Sequence, residues 1–287
     1  MIEQARKCPT DVRQRVADFV YKKADFRGEN FPLCTNLIDV SKALASSDSW
    51  YVLVADRPIA LFNLERSESR AKVSRICATD DSPVDTVISC LRQDLRKMGI
   101  TDLIARVESS DLESLTAAGF EKGESYVRFS RVAEETKMMP ILPLANATQK
   151  ELPALSRLMY DAYAKEHGAF SDIQSAESSL RTLMSGKKSY LSEASFTSGT
   201  SRNLVSACLV TLNSTGQANI AQLFTHPLYR ARGLATTEIG ATMNWLVRSS
   251  IPNLVAWPRE SNDVVKRLLL KMGFREDRRA VELAARI

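Results

Sequence analysis

The sequence contains one pattern twice, and this repeat constrains the fold more than any other feature. The strand-like stretch AKVSRICATDD at residues 71–81 is similar to ANIAQLFTHPL at residues 218–228. Farther along each half, SLTAAGF ends on Gly119–Phe120 as LLLKMGF ends on Gly273–Phe274. Because two landmarks recur in the same order, the pattern indicates two copies of one domain rather than a short-period solenoid.

The length and a polar segment in the middle of the chain indicate where the two copies meet. With 287 residues, each half is large enough to bury its own hydrophobic core. The segment RVAEETKMMPILP at residues 131–143 begins with polar and charged residues and ends with Pro140 and Pro143, a composition typical of a connection. We therefore predict a first domain over residues 1–135 and a second over residues 136–287.

The second half has the clearer pattern of helices and strands. Apolar residues recur at helical spacing from Leu152, and Thr148 with Glu151 has the form of a capping box at the start of that helix. Further helices are predicted near residues 175–184, 234–248 and 262–272. Strands are predicted in SYLSEAS, NLVSACLVTL, ANIAQLFTH and NLVAW, and in the C-terminal stretch. With one more strand before the first helix, the order β-α-α-β-β-β-α-β-α-β predicts an α/β fold, with a mixed sheet and helices packed on it.

Charge and cysteine usage exclude several classes of protein. The net charge is +5, and the 39 basic and 34 acidic residues are interspersed, without the basic block typical of nucleic-acid binding. The five cysteines are scattered and include no CxxC pair, which argues against disulfides and a structural zinc site. No apolar run approaches the ~18 residues that span a bilayer, and the N-terminus lacks a signal-peptide pattern. We therefore expect a cytoplasmic protein with no metal centre and with neither nucleic acid nor membrane as a partner.

One stretch, FTHPLYRARGLATTEIG, combines features that favour phosphate binding. A strand is followed by a turn through a proline and then by a helix, whose first N–H groups have no partner within the helix. These N–H groups and the helix dipole make an anion site. Gly233 leaves room for close approach to the backbone, and Arg230 and Arg232 add positive charge and donors for phosphate oxygens. The alternative is a turn glycine between solvated arginines, because the stretch is neither a P-loop nor a dinucleotide-binding motif.

Two motifs of this half resemble those of the GCN5-related N-acetyltransferase (GNAT) superfamily. HPLYRARGLA is similar to the family's acyl-CoA-binding segment, which has Q/R-x-x-G-x-G/A after a strand. NDVVKRLLLKMGF is similar to the second family motif, and the residues at the family spacing are Asn262, Leu268, Lys271, Gly273 and Phe274. The resemblance is clear over residues 140–287 and degenerate over residues 30–130, as in tandem relatives. FTHPLYRARGLAT looks closest to the branch that includes the glycine N-acyltransferases and the FR47-like proteins.

The resemblance implies where an acyl-CoA would bind, with acetyl-CoA as the expected cofactor. Main-chain N–H groups of one continuous run would hold the pyrophosphate: Arg230, Ala231, Arg232, Gly233, Leu234 and Ala235. The Thr236 hydroxyl would assist them. The main chain of Phe224 and Thr225 would pair with the pantetheine arm, and Asn262 would form a hydrogen bond near the thioester.

The implied reaction is acyl transfer, most simply acetyl transfer, from CoA to the primary amine of a small molecule or peptide. Orientation of the two reactants and stabilisation of the oxyanion would supply most of the rate. Tyr160, Tyr163 and Trp257 are candidates for the walls of the acceptor pocket, and core packing explains them equally well. The family's tyrosine, which protonates the leaving thiolate, is Leu269 here, and Gln222 stands where some relatives carry a glutamate. The alternatives are therefore a non-catalytic acyl-CoA-binding or regulatory module and a protein-lysine acetyltransferase. The sequence leaves the oligomeric state open.

The first half lacks the features that favour phosphate binding. In place of HPLYRARGLA it has TDDSPVDTVI, where Asp80, Asp81 and Asp85 put negative charge at the predicted helix start. Ser82 and Pro83 are an ordinary cap and first-turn residue. Carboxylates suit the helix dipole but repel a phosphate. We therefore predict that the first domain is a degenerate copy without a CoA site and has a structural role.

Overall fold

The computed structural model describes most of the second half of the chain and parts of the first. The described residues are 2–4, 14–18, 49–54, 57–67, 70–78, 92–108, 116, 119–137, 139–167, 170–185, 190–200, 203–212 and 216–286. They fall into two compact units. Unit 1 comprises Met1–Val127, Arg259–Ser261 and Arg278–Ile287, and unit 2 comprises Arg128–Pro258 and Asn262–Asp277.

Unit 1 is built on a mixed sheet whose strands come from both ends of the chain. Its described strands are β1 (Ile2–Gln4), β2 (Ser49–Val54), β3 (Arg57–Ser67), β4 (Arg70–Ala78), β5 (Asp102–Glu108), the first part of β6 (Glu121–Val132) and most of β12 (Arg275–Arg286). The spatial order is β1-β2-β3-β4-β5-β12-β6. The first four strands pair antiparallel, β4 and β5 pair parallel, and β12 pairs antiparallel with β5.

Unit 2 repeats this strand pattern. Its strands are the end of β6, β7 (Leu144–Asn146), β8 (Phe196–Thr200), β9 (Asn203–Leu212), β10 (Ala218–Thr225) and β11 (Asn253–Ala256). The spatial order is β6-β11-β10-β9-β8-β7, in which only the β10–β11 pairing is parallel. The run β8-β9-β10-β11 therefore matches β2-β3-β4-β5, and the predicted mixed sheet and internal repeat are both confirmed.

The strand that closes each sheet comes from the other half of the chain. β6 follows Gly119–Phe120 in the first repeat, yet its residues 129–132 pair with β11 of unit 2. β12 follows Gly273–Phe274 in the second repeat, yet its residues 280–286 pair with β5 of unit 1. The units therefore differ from two consecutive segments, and the predicted boundary between residues 135 and 136 stays a prediction about where each repeat begins.

The described residues of unit 2 form four α-helices, in the predicted order. They are α1 (Leu152–His167), α2 (Ile173–Ser185), α3 (Leu234–Arg248) and α4 (Asp263–Lys271). α1 and α2 share a hydrophobic core with Leu204, Ala207 and Leu209 of β9 and with Phe224 of β10. α3 meets the intervening β9 residues Ser206 and Cys208, so α1 and α3 pack on opposite faces of the sheet. No described helix has the length and hydropathy needed to cross a membrane.

The start of α1 explains how a proline is tolerated near a cap. The Thr148 side chain accepts a hydrogen bond from the Lys150 N–H, and Glu151 accepts one from the Thr148 N–H at 2.9 Å, so the predicted capping box is confirmed. A single 3₁₀ turn at Gln149–Glu151 lies between the cap and α1. Pro153 therefore falls in the first helical turn, where it costs no hydrogen bond.

The strand predicted in SYLSEAS is wrong. Tyr190 forms only an isolated bridge with Thr211, and Ser192–Ala194 form a 3₁₀ turn. The Ser195 hydroxyl donates to the Leu191 carbonyl at 2.7 Å and accepts from the Val210 N–H at 2.8 Å, which stabilises the turn against an extended chain. The strand begins one residue later, at Phe196.

Candidate functional site

The N-terminus of α3 has an unusual backbone. Gly233, directly before the helix, has φ 80° and ψ 4°, in the left-handed region that glycine adopts without a steric penalty. Two residues earlier, Ala231 has φ 60°, which is uncommon for a residue with a side chain. A left-handed residue followed by a helical one aims successive N–H groups at a common point, an arrangement that favours anions.

The first N–H groups of α3 have no side-chain cap. No side chain forms a cap hydrogen bond at Gly233, and no acidic residue lies in the first turn. The first intrahelical bond runs from the Thr237 N–H to the Gly233 carbonyl at 3.0 Å. The N–H groups of Leu234, Ala235 and Thr236 precede it, and an α-helix offers such groups no acceptor of its own. Together with the positive end of the helix dipole, they can bind an anion.

The two arginines of RARG have different surroundings. Arg230 is half-buried. Its Nε donates to the Thr225 carbonyl at 3.2 Å, and one of its terminal nitrogens donates to the Ala162 carbonyl at 3.0 Å. Arg232 is exposed, and its guanidinium lies 5.3 Å from the centroid of the Tyr229 ring. Arg230 therefore joins α1 to the end of β10, whereas Arg232 points its charge toward solvent beside the helix start.

The segment between β6 and β7 contacts α3 and reaches the N-terminus of that helix. The Thr136 N–H donates to the Asn244 side chain at 2.6 Å, and the Asn244 amide donates back to the Thr136 carbonyl at 2.9 Å. Ile141, which is 61% exposed, comes within 3.4 Å of where a Cβ on Gly233 would stand. An apolar side chain therefore borders the helix start, at ordinary van der Waals distance from a side chain added at Gly233.

One edge of β10 is open just before this helix start. β10 pairs with β11 only over Ala218–Ile220, so the two parallel strands separate beyond that point. The His226 N–H donates to the Val205 carbonyl at 2.8 Å, which makes this a hydrogen-bonded pair with β9. Because such pairs alternate along an antiparallel ladder, the Phe224 main chain also faces β9. The main chain of Leu223 and Thr225 faces the other way, into the gap.

The Phe224 prediction therefore changes. Its main chain is directed at β9, and its side chain is buried in the core shared with α1 and α2. The residues with main-chain groups on the open edge are Leu223 and Thr225, which lie two positions apart. Sequence reasoning could not choose between odd and even positions here, because the choice depends on a bulge in β10 between Ile220 and Gln222.

Both carbonyls on the open edge already accept a hydrogen bond from a side chain. The Tyr163 hydroxyl donates to the Leu223 carbonyl at 3.1 Å, and the Arg230 Nε donates to the Thr225 carbonyl. The other main-chain groups on this edge are the N–H groups of Leu223 and Thr225, which can donate hydrogen bonds to a ligand. An extended ligand with amide carbonyls suits such an edge, as a strand added to the sheet would.

A buried carboxyl group lies beneath this edge. Glu238 of α3 is 0% exposed and accepts hydrogen bonds from the hydroxyls of Ser198 at 2.7 Å and Ser206 at 2.9 Å. Ser206 in turn lies 2.8 Å from the Thr225 hydroxyl. Burial raises the pKa of Glu238 to about 8, and the hydrogen bonds from Ser198 and Ser206 oppose that rise. This polar chain joins α3 to β8, β9 and the end of β10.

α4 contains the stretch that resembles the second GNAT motif, and its residues have structural contacts. The Asn262 side chain caps α4 by accepting from the Val265 N–H at 3.2 Å. Leu269, at the family's tyrosine position, is 0% exposed and has no contact with solvent. Its carbonyl accepts from the N–H of Phe274 at 3.0 Å, where the left-handed Gly273 ends the helix. The cap uses the side-chain oxygen of Asn262, and the hydrogen bond of Asn262 near a thioester stays a prediction.

The predicted acceptor residues are only partly gathered at the open edge. Tyr163 lies there, with its hydroxyl 3.5 Å from Gln222 Oε1. Tyr160 and Trp257 are half-buried, and Trp257 directly follows β11 where that strand leaves β10. The first-half residues Asp80, Asp81, Ser82, Pro83 and Asp85 lie outside the described residues. Among the described residues, no group of three His, Cys, Asp or Glu side chains could hold a metal ion.

Comparisons with known proteins give a clear result for the fold. No protein-family model matches the chain, and no curated protein matches it significantly. Among solved structures, a tandem GNAT protein from the clavulanic acid biosynthesis pathway has a TM-score of 0.69 at 14% identity, over 100% of this chain and 98% of that one. A GCN5-related N-acetyltransferase from Sphaerobacter thermophilus has a TM-score of 0.67 at 12% identity, over 100% and 95% of the two chains.

A third similar structure is an acetyltransferase from the GNAT family of Colwellia psychrerythraea, with a TM-score of 0.56 at 12% identity over 94% of this chain and 96% of that one. The class that the fold defines is therefore the GNAT fold. In particular, the chain has the tandem form, because its likeness to the tandem protein extends over the whole length of both chains.

Proposed function

We propose that unit 2 is an N-acyltransferase that binds an acyl-CoA, most simply acetyl-CoA, and transfers the acyl group to a primary amine. One observation carries the proposal: an uncapped helix start with a left-handed glycine lies next to an unpaired strand edge. The helix start suits a pyrophosphate, and the strand edge suits the amides of a pantetheine arm. CoA combines these two groups in one molecule.

In the proposed complex, the main-chain N–H groups from Gly233 to Thr236 donate to the pyrophosphate, and Arg232 adds positive charge from the exposed side. The N–H groups of Leu223 and Thr225 donate to the carbonyls of the arm. Arg230 holds α1 against the strand rather than contacting a phosphate itself. The thioester then lies toward Ile220, where β10 and β11 come together.

The fold supports the proposal, since the similar structures described above carry acetyltransferase names. Catalysis would come mainly from holding the amine and the thioester in line in a ternary complex. A main-chain N–H on the strand edge would stabilise the oxyanion as the amine attacks. The acceptor is a small-molecule amine or a peptide, and the shape of the strand edge favours neither.

A second function is a binding module that holds acyl-CoA without transferring the acyl group. The observation that favours it is the burial of Leu269, which puts an inert side chain where the family's proton donor stands. The transferase function remains open beside it. The pKa of a CoA thiol is ~8.5 by analogy with cysteine, so the thiolate can leave without a proton donor.

Steady-state consumption of acetyl-CoA with a panel of primary amines, followed by release of free thiol, separates the two functions. Turnover that depends on the amine supports the transferase. Calorimetric binding of acetyl-CoA without turnover for any amine supports the binding module. An absence of acetyl-CoA binding contradicts both.

A further inference from the structure

Among the described side chains of α1, that of Tyr163 reaches the open edge of β10. Its hydroxyl donates to the Leu223 carbonyl at 3.1 Å and lies 3.5 Å from Gln222 Oε1. The ring is fixed by two tilted aromatic contacts, with centroid distances of 6.2 Å to Phe170 and 6.1 Å to Phe224. A phenol held by packing on both sides is positioned before any ligand binds.

Arg230 connects the same part of α1 to the end of β10. It donates to the carbonyl of Ala162, the residue before Tyr163, and to the carbonyl of Thr225. The helix and the strand edge are thus joined at two places, one at each open-edge residue. The hydroxyl position relative to the gap therefore depends on a defined connection rather than on a flexible side chain.

The position along the strand is the one where a thioester would lie. Thr225 is nearest the start of α3, and Leu223 lies two residues farther from it, about 6.6 Å along the strand. The gap ends at Ile220, where pairing with β11 begins. An arm that starts at the helix and follows this edge past Thr225 and Leu223 therefore has its reactive end between Leu223 and Ile220. The Tyr163 hydroxyl lies at the beginning of that stretch, on the Leu223 carbonyl.

We propose that Tyr163 is the catalytic proton donor to the departing CoA thiolate, the role that Leu269 cannot fill. This inference rests on the proposed acyl-transfer function. In the step, the amine nitrogen forms a bond to the thioester carbon, the carbon–sulfur bond breaks, and the sulfur takes the phenolic proton. The new ammonium group then returns one of its protons to the phenolate. The products are the amide and free CoA thiol, and Tyr163 is restored.

Tyr163→Phe tests this proposal, because it removes the hydroxyl and keeps the ring contacts with Phe170 and Phe224. We expect kcat to fall about 100-fold, at the low end of general-acid effects because a thiol is already an acidic leaving group. The dissociation constant for acetyl-CoA, measured by calorimetry on the same full-length protein, should change less than threefold.

Tyr190→Phe is the matched control. The Tyr190 hydroxyl also donates to a main-chain carbonyl, that of Ala147 at 2.8 Å, and its ring packs against the same core as that of Tyr163. It lies away from the gap between β10 and β11. We expect this variant to keep kcat within threefold, since it loses the same kind of hydrogen bond without losing the proton donor.

Three outcomes overturn the proposal. If Tyr163→Phe keeps kcat within threefold, Tyr163 is not the donor, while the transferase function stands. If kcat falls together with a tenfold weaker acetyl-CoA affinity and a lower melting temperature, Tyr163 has only a structural role. If wild-type protein transfers no acyl group to any amine, the proposed function fails and this inference fails with it.

Discussion

Arg230 and Arg232 are two positions apart, and we expect removal of their charge to affect different properties. Loss of Arg230 should lower folding stability, and loss of Arg232 should weaken acetyl-CoA binding. Arg230→Met loses two hydrogen bonds to main-chain carbonyls, which should lower the free energy of unfolding by about 1–3 kcal/mol. Arg232→Met should leave stability nearly unchanged and weaken acetyl-CoA binding about tenfold, or about 1.4 kcal/mol. Urea unfolding and calorimetry on both variants check this. Equal effects of the two variants on affinity would contradict it.

Gly233 offers a second test at the scale of one residue. Its left-handed backbone should cost Gly233→Ala about 1–2 kcal/mol of folding stability. Gly216 has a similar φ of +76° with nothing within 4 Å of an added Cβ, so Gly216→Ala is a matched control for the backbone strain. We expect both variants to lose similar stability, measured by thermal unfolding, and only Gly233→Ala to weaken acetyl-CoA binding. If both variants bound acetyl-CoA more weakly, the result would contradict a specific role of the helix start in binding.

At the same scale, the sequence anticipated local features and missed distant ones. The bounds of α3 and the capping box at Thr148 follow from neighbours within a few positions. The Tyr163–Leu223 and Glu238–Ser198 hydrogen bonds join residues 60 and 40 positions apart. No periodicity or motif specifies such pairs, because they depend on how helices pack on the sheet.

At the scale of the element, α3 is tied to the sheet by a carboxyl group whose protonation should affect folding. Because the pKa of Glu238 is raised from its ordinary 4.5 to about 8, the folded protein keeps a proton that the unfolded chain releases above about pH 4.5. Its contribution to stability is therefore present at low pH and is lost as the pH rises to about 8.

Glu238→Gln isolates this effect, since the amide has a similar size and does not ionise. We expect the stability of the wild type relative to this variant to fall by roughly 1.4 kcal/mol per pH unit between about pH 4.5 and about pH 8. Urea unfolding of both proteins at about pH 5 and about pH 8 measures the difference. A difference that does not change with pH would mean that the buried carboxyl is ionised throughout.

The strand predicted in SYLSEAS, where the structure has a 3₁₀ turn, shows why element boundaries are hard to predict. SYLSEAS has the composition of a strand, but the Ser195 hydroxyl bonds the Leu191 carbonyl and the Val210 N–H, and this closes a turn. The competing strand FTSGT is shorter and contains a glycine, so it is the weaker candidate by propensity. Pairing with β9 decides between them, and pairing is a long-range property.

At the scale of the whole molecule, the exchange of closing strands limits how the chain can be divided. A fragment that starts at residue 136 lacks residues 129–132, which pair with β11. A fragment that starts at residue 119 keeps them. We expect the shorter fragment to expose Asn253–Ala256 to amide hydrogen exchange and to melt at a lower temperature. Equal protection of β11 in the two fragments would show that β6 contributes little to unit 2.

The sequence repeat predicted the number of domains but not this exchange. Gly273–Phe274 lies between α4 and β12, Gly119–Phe120 directly precedes β6, and nothing local states which sheet either strand joins. The composition of residues 131–143 locates a connection correctly, because β6 ends at Val132 and β7 begins at Leu144. The partner of β6 follows only from the three-dimensional pairing.

The central claim is that acyl-CoA binds where α3 begins and along the open edge of β10. Amide hydrogen exchange of the full-length protein, with and without acetyl-CoA, tests this most directly. We predict slower exchange at the N–H groups of Leu223, Thr225 and residues 233–236, with little change at Phe224, whose main chain faces β9. Binding of acetyl-CoA that leaves exchange at residues 233–236 unaltered would contradict the account.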